Sequence, residues 1–474
     1  MSALHTLRSN NFFSSEISGN YFQKKLKVLR FCMMLIVIVS FQSCIKDVIE
    51  NESKPAESYS ADFLFSYLDQ ICKTARTTEG FFPPQAARAY GYIGIANYEA
   101  VVHGIAGARS LESQLNGMSV YALPKPDPAM SYNWAIAANA ATSRMFRYMF
   151  EKRLTALNRL SIDSLEINTH QRLAANEIPA VVTRSQKFGY DIADQIFEYS
   201  KTDGGHESYQ APFQLPYTIP SDEYCWVPTG AALNPLSPRW GQNRPFLRTN
   251  VTRTGVIPHA SFSKDPGSEF YKEAMVVYNQ NINNSFEQTE IARYWADDPF
   301  ATCTPAGHTF NIMAQILKEE KCSLAKSSMG FAKMAVAEND AFIACWKGKY
   351  DYVLIRPVSY IRRYIDPNFN TVIGTPPFPA YTSGHSCEIG AGSRILTSLF
   401  TNGSGDYQFT DYSQLQYGFY ARSFNNFNQM AEECANSRLY GGIHYPMDNS
   451  QGLQLGRAVG DNVNKEIFWP KDVK

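Results

Sequence analysis

The chain has 474 residues, and its 44 Lys+Arg balance 44 Asp+Glu, so no basic field marks it for nucleic acid. Aromatics make up 14% and charged residues 19%, which argues against a disordered chain and for a large ordered core. The nine cysteines show no Cys-x2-Cys spacing, so nothing suggests a zinc ribbon.

In chain order, Lys24, Lys25, Lys27 and Arg30 precede an apolar run over 31–41. That order reads as an export signal, and the run falls short of the roughly 20 apolar residues of a membrane span. Ser43-Cys44 resembles a bacterial lipoprotein cleavage box. The expectation is an export signal over 1–43, a lipid anchor at Cys44 and a polar tether over 44–60. The protein would then sit in the cell envelope and touch the membrane only through that anchor. Setting Cys32 and Cys44 aside leaves seven cysteines, so at least one is unpaired unless it bridges chains. One domain is expected over 61–474, with its active-site core at 340–460.

Helical spacing runs from Ala61 to Gly104, broken and restarted at Pro83-Pro84. Further helices are expected over 134–160 and 178–199. From 201 to 265 prolines and glycines punctuate the chain, which predicts a long irregular segment shaping a cleft mouth. Helices resume at 266–280, 287–295, 308–320 and 327–346. Proline-rich 367–379 is a loop, 385–400 a helix, 424–440 a helix ended by Gly441-Gly442, and Asp448 opens the last helix, which runs to about Glu466. The fold class is therefore mostly α, a helical bundle with one long Pro/Gly-rich irregular segment.

Three short pieces concentrate the chemistry: Lys349-x6-Arg356-Pro357, Ser383-Gly384-His385, and Ser437-Arg438-x3-Gly442-x-His444-x3-Asp448. Guanidinium forks match the equatorial oxygens of a tetrahedral or five-coordinate oxyanion, and Lys349 adds a point charge. Ser383 offers a hydroxyl, Gly384 an unobstructed N–H, and the helix after it a positive N-terminus. One histidine can bond the central atom, which needs a neutral ring nitrogen. The other can be the general acid–base, and Asp448 can fix the tautomer of His444.

These pieces resemble the signature of the vanadium-dependent haloperoxidases and of the type-2 phosphatidic acid phosphatase superfamily that shares their site. Every spacing is met, and the departure is Thr382, where the family usually has proline. Trp346 and Phe378 are similar to the chloroperoxidase-like pattern and would line the halide side of the pocket. Tyr294-Trp295-Ala296-Asp297, Thr304-Pro-Ala-Gly307-His308 and the helix around Arg88 to Ala100 resemble bacterial members. The resemblance implies paired four-helix bundles and vanadate as cofactor, with phosphate able to occupy the same site. It implies His444 as the metal ligand and Lys349, Arg356, Ser383, Gly384 and Arg438 as holders of the oxygens. His385 would be the acid–base, with Lys349 polarising bound peroxide and Asp448 supporting His444.

The implied reaction is oxidation of halide by hydrogen peroxide, followed by halogenation of a small organic acceptor. The alternative is a phosphatase cleaving phosphomonoesters through a phosphohistidine at His444. A non-catalytic oxyanion-binding envelope protein is a third reading, against which the intact Lys349, His385 and His444 set stands. The lack of several apolar spans argues against an integral-membrane lipid phosphatase. His308 and His103 read as structural or surface residues. Asp297 would pair with a site arginine, as in relatives, and no His-x3-His or Glu-rich cluster supports a divalent metal at Asp297-Asp298.

Overall fold

The computed structural model describes residues 52–474, apart from 214, 215, 402, 403, 472 and 474. The export signal and Cys44 lie outside the described residues. No helix among the described residues is long and apolar enough to cross a membrane.

Fourteen α-helices, six short 3-10 helices and one two-stranded sheet make up the described secondary structure. Helices α1 (Asp62–Thr77), α2 (Pro83–Val101), α3 (Trp134–Phe150), α4 (Ala156–Ala174) and α5 (Pro179–Ser200) form the first group. A long irregular stretch follows, interrupted by the single turn of α6 (Thr249–Thr252), and leads to α7 (Glu269–Ile282), α8 (Phe286–Tyr294) and α9 (Thr304–Glu319). The second group is α10 (Leu324–Tyr352), α11 (Pro357–Tyr364), α12 (Gly384–Phe400), α13 (Phe427–Tyr440) and α14 (Pro446–Glu466). A hairpin of β1 (Phe409–Asp411) and β2 (Arg422–Phe424) pairs antiparallel between α12 and α13.

Helix α10, 29 residues long, is the common axis. It is buried almost all round, from Leu324 to Lys349, as a helix at the centre of a large domain must be. It packs on α2, which belongs with α3 and α5 in one bundle, and on α12 and α14, which with α13 form the other. The paired-bundle architecture is thus present, with α10 serving both halves.

The sequence pattern locates most helices and misses three features. The run expected over 134–160 breaks after Phe150, and Thr155 caps a separate helix α4. That helix buries only Ile162, Glu166 and Thr169, so its apolar periodicity is faint. Helix α11 lay hidden behind Arg356-Pro357: proline takes its first position, and Arg356 stands outside the helix in extended backbone. The hairpin strands are three residues each, too short for alternation to register.

Helices α12 and α14 touch backbone to backbone. A Cβ at Gly456 would lie 1.8 Å from the Cys387 carbonyl oxygen, and one at Gly452 would lie 2.7 Å from that of Ser383. This approach sets the start of α12 against the start of α14, where the Ser383 N–H donates to the Asp448 carbonyl at 3.0 Å. Gly456→Ala should therefore force the helices apart and cost roughly 2–4 kcal/mol, at or above the usual range for overpacking, because the clash is with backbone. Urea denaturation measures the loss.

Candidate active site

Each predicted piece arrives on a different element. Lys349 lies in the last turn of α10, Arg356 just before α11, Ser383 caps α12, Arg438 ends α13, and His444 precedes α14. All five side chains are buried. Three cations brought together out of water are expensive unless an anion joins them. Burial pulls Lys349 down to about 8 and lowers both arginines.

The cations are anchored by backbone carbonyls. Lys349 Nζ donates to Pro379 and Ala380, each at 3.0 Å, and to Thr382. Its three protons are thereby engaged, so its charge and no free N–H serves the site. Arg356 donates from Nε to Phe378 at 2.9 Å and from Nη1 to Ile443 at 3.0 Å. Arg438 Nη1 donates to the Trp295 carbonyl at 2.7 Å. Thr382, at the family's usual proline position, follows a cis peptide bond and supplies one of the lysine's carbonyls.

Some buried donors remain without partners. Arg356 Nη2 and Arg438 Nε make no hydrogen bond. No described group accepts from the N–H groups of Gly384 and His385 at the start of α12. A Cβ at Gly384 would meet only Trp346, at 3.7 Å, so the glycine is not demanded by crowding in the protein itself. Ser383 Oγ accepts from the Ser386 N–H at 3.3 Å and faces Ser386 Oγ at 2.9 Å.

The histidine tautomers follow from their partners. Arg356 Nη1 lies 3.1 Å from His444 Nε2, and a guanidinium only donates, so Nε2 holds a lone pair. His444 Nδ1 then carries the proton and donates to Asp448 Oδ2 at 2.8 Å. Burial, with Arg356 and Lys349 beside it, holds His444 well below the ordinary histidine range, so the ring is neutral. Burial also pushes the Asp448 carboxyl up, to about 7, against the pull of Lys349 and the Tyr445 N–H. His385 Nε2 faces the Ala296 carbonyl at 3.2 Å and must donate to it. Its Nδ1 is left as the lone-pair nitrogen, and burial and Arg438 hold this ring neutral as well.

His385 and Arg438 form the floor of a cleft of about 380 Å³, and Phe378 lines its wall. Trp346 stands behind Phe378, ring centroids 4.9 Å apart, and donates from Nε1 to Leu236. Of the two aromatics expected in the pocket, only Phe378 lines the cleft.

The structure corrects the reading of Asp297. It does not reach Arg438; its carboxylate accepts from His308 Nδ1 at 2.9 Å, Thr302 and Gln414. His308 Nε2 donates to Asp411 at 2.9 Å, and Tyr294 donates to the same carboxylate. Both ring nitrogens face carboxylates, which favours the imidazolium, and the Gln414 side-chain amide also lies 2.8 Å from Nδ1. Burial opposes its charge, but Asp297 and Asp411 prevail and raise it to about 10. The ring stacks on Trp295 at 4.7 Å. This cluster underpins the strand of backbone whose Trp295 and Ala296 carbonyls hold Arg438 and His385. The structural role read for His308 in the sequence is the one the fold gives it, but its partner Asp411, 103 residues away, carries no motif that would reveal the pairing. His103 is exposed.

The family model described as the VCPO second helical-bundle domain matches residues 329–468. A crystal structure described as the first bacterial vanadium-dependent iodoperoxidase superposes with a TM-score of 0.77 at 31% identity, covering 88% of this chain and 98% of that one. The chain belongs to the vanadium-dependent haloperoxidase family. Vanadium chloroperoxidase of Curvularia inaequalis is 25% identical over 392 residues, 69% of this chain and 63% of that protein's length. A holo-type bacterial vanadium-dependent chloroperoxidase shares the fold at a TM-score of 0.64 and 15% identity, over 83% of this chain and 93% of that one. The chain is thus an enzyme of this family with its mostly α fold.

Proposed function

We propose that the protein is a vanadate-dependent haloperoxidase that oxidises halide with hydrogen peroxide at the floor of the cleft. The observation that carries this reading is the convergence of unpartnered buried donors on a neutral histidine. The donors are Arg356 Nη2, Arg438 Nε and the Gly384 and His385 N–H groups, and the acceptor is His444 Nε2. That set suits an oxyanion whose central atom takes a nitrogen ligand.

Bound vanadate would supply a Lewis-acidic centre that activates peroxide toward a halide. His444 Nε2 would be the vanadium ligand, held in register by Asp448. Arg356, Arg438, the Gly384 N–H and the Ser383 hydroxyl would hold the oxygens, and Lys349 would contribute a fixed charge able to polarise peroxide. His385 Nδ1 would be the acid–base, able to accept a proton from hydrogen peroxide and to give one up to water. Export and a lipid anchor at Cys44 remain part of this proposal.

The test starts with purified protein stripped of bound anion. Bromide-dependent halogenation of a 1,3-diketone with peroxide should appear on adding orthovanadate and be suppressed by phosphate. Phosphomonoester hydrolysis inhibited by vanadate, with no halogenation, would overturn the proposal in favour of a phosphohistidine phosphatase.

His385→Ala separates the roles. Its turnover should fall roughly 10²–10⁴-fold, as for loss of a general acid–base. Vanadate affinity, read from reconstitution titrations, should change by less than about tenfold, because His385 contributes its backbone N–H and not its ring to the anion.

A further inference from the structure

We propose that helix α4 lies on an anionic lipid surface, so that the enzyme works seated on the membrane to which Cys44 anchors it. The inference rests on the lipid-anchor reading of Cys44 and adds which face of the fold meets the bilayer.

Helix α4 carries apolar residues on two opposite sides. Ile162, Glu166 and Thr169 are buried, and Leu165 and Leu173 pack partly buried against the core. With about 100° of turn per residue, Leu157, Leu160 and Ile167 fall within an arc of about 80° on the far side. They are 74%, 63% and 53% exposed. The other residues of that arc, Ser164 and Gln171, are exposed and uncharged. A lone exposed leucine is ordinary, but an aligned stripe of three marks a contact surface.

The charges around the stripe select the partner. Arg159 and Arg172 flank it on either side, both exposed, and neither pairs with a carboxylate among the described residues. The two carboxylates of the helix are taken up elsewhere, since Asp163 and Glu166 both accept from Arg147 at 2.6 Å. The outward face is therefore apolar and cationic. That composition suits a helix lying in the interface of a bilayer with anionic headgroups. A second copy of the same face would instead set arginine against arginine.

Chain length points the same way. Glu52 stands eight residues after Cys44, and eight extended residues reach at most about 29 Å. The described chain enters beside α4. Ser53 Oγ accepts from the Tyr132 N–H at 2.8 Å, and the adjoining Asn133 amide donates at 2.9 Å to Glu177, three residues beyond the end of α4. An anchor at Cys44 thus keeps this end of α4 near the bilayer. At that range the tether supplies a high effective concentration of lipid, so a short stripe that would bind weakly by itself can stay seated.

The experiment uses the full protein isolated from membranes and reconstituted in vesicles of phosphatidylcholine and phosphatidylglycerol, with a diazirine on the acyl chains. Photolysis should label α4 at least roughly fivefold more than the end of α7, whose Val276 and Ile282 are also exposed. The triple variant Leu157→Gln, Leu160→Gln, Ile167→Gln changes only exposed side chains to another good helix former. It should lose most of that label and keep the wild-type rate in detergent. Vesicles of phosphatidylcholine alone should lower the α4 label severalfold, because Arg159 and Arg172 lose their anionic partners. Equal labelling of α4 and α7, unchanged labelling in the triple variant, or α4-to-α4 crosslinks between two chains in place of lipid label would each overturn the proposal. The acyl mass on the Cys44 peptide tests the anchor reading separately, and an anchored protein without α4 label fails this proposal alone.

Discussion

His444→Ala eliminates turnover: kcat with peroxide and bromide should fall by at least roughly 10³-fold, in line with loss of a group that bonds the reacting centre. His444 is buried, neutral and held by Asp448 on one nitrogen, so its other nitrogen is presented as a fixed lone pair. Arg356, which faces that nitrogen, has no lone pair to offer in its place. Vanadate affinity should collapse in the same variant. Asp448→Asn retains the ligand but loosens its tautomer, and should cost only roughly 10–100-fold in affinity. Vanadate titrations of the two variants, read by recovered activity and by calorimetry, check the ordering. Full activity in His444→Ala would sink the assignment.

His308→Leu should be the most destabilising single change outside the direct anion contacts. It leaves Asp297 and Asp411 buried without their shared cation, and breaking a buried pair in this way costs roughly 3–5 kcal/mol. The pH dependence has a definite sign. His308 is held above its ordinary value, up to about 10, so its contribution is fully present below about 6.5 and is lost as pH rises through about 10. Asp411 is held below its ordinary value, with burial opposing and His308 prevailing, so its contribution is present above about 4 and is lost as pH falls further. The cluster therefore helps most between about pH 4 and 6.5. Urea denaturation from pH 5 to 10 should show a decline in the wild type that is much reduced in His308→Leu. Identical profiles would mean that the ring is not charged in the native state.

The anion cradle was legible in the sequence because its residues sit in three short pieces whose spacing is set by helix ends. Lys349, Arg356, His385, Arg438 and His444 occupy the ends of five helices, and those ends have local signals: Pro357, the Ser383 cap and the Gly441-Gly442 stop. The Asp297–His308–Asp411 cluster was not legible as a unit. Its members meet only through the packing of α9 against the β hairpin, and Asp411 lies on a strand too short to have a period. The same limit hid α4, whose exposed surface dilutes its apolar face. The cleft was legible only in part: Phe378 and the irregular segment that carries Leu236 were expected to border it, whereas Phe82 and Phe300 come from distant segments that carry no motif.

The carbonyl anchors on Lys349, Arg356 and Arg438 bear on how the protein acquires its anion. The cations are held by the chain's own carbonyls, so their placement does not depend on the anion for its hydrogen bonds. A rigid receptacle of this kind distinguishes poorly between tetrahedral anions of similar size and charge. Which one occupies it is then set by mass action, as the ratio of each free concentration to its dissociation constant. Where phosphate is plentiful and vanadate scarce, the fraction of molecules ready to work becomes a readout of the surrounding water, and the same polypeptide would be idle in one habitat and competent in another.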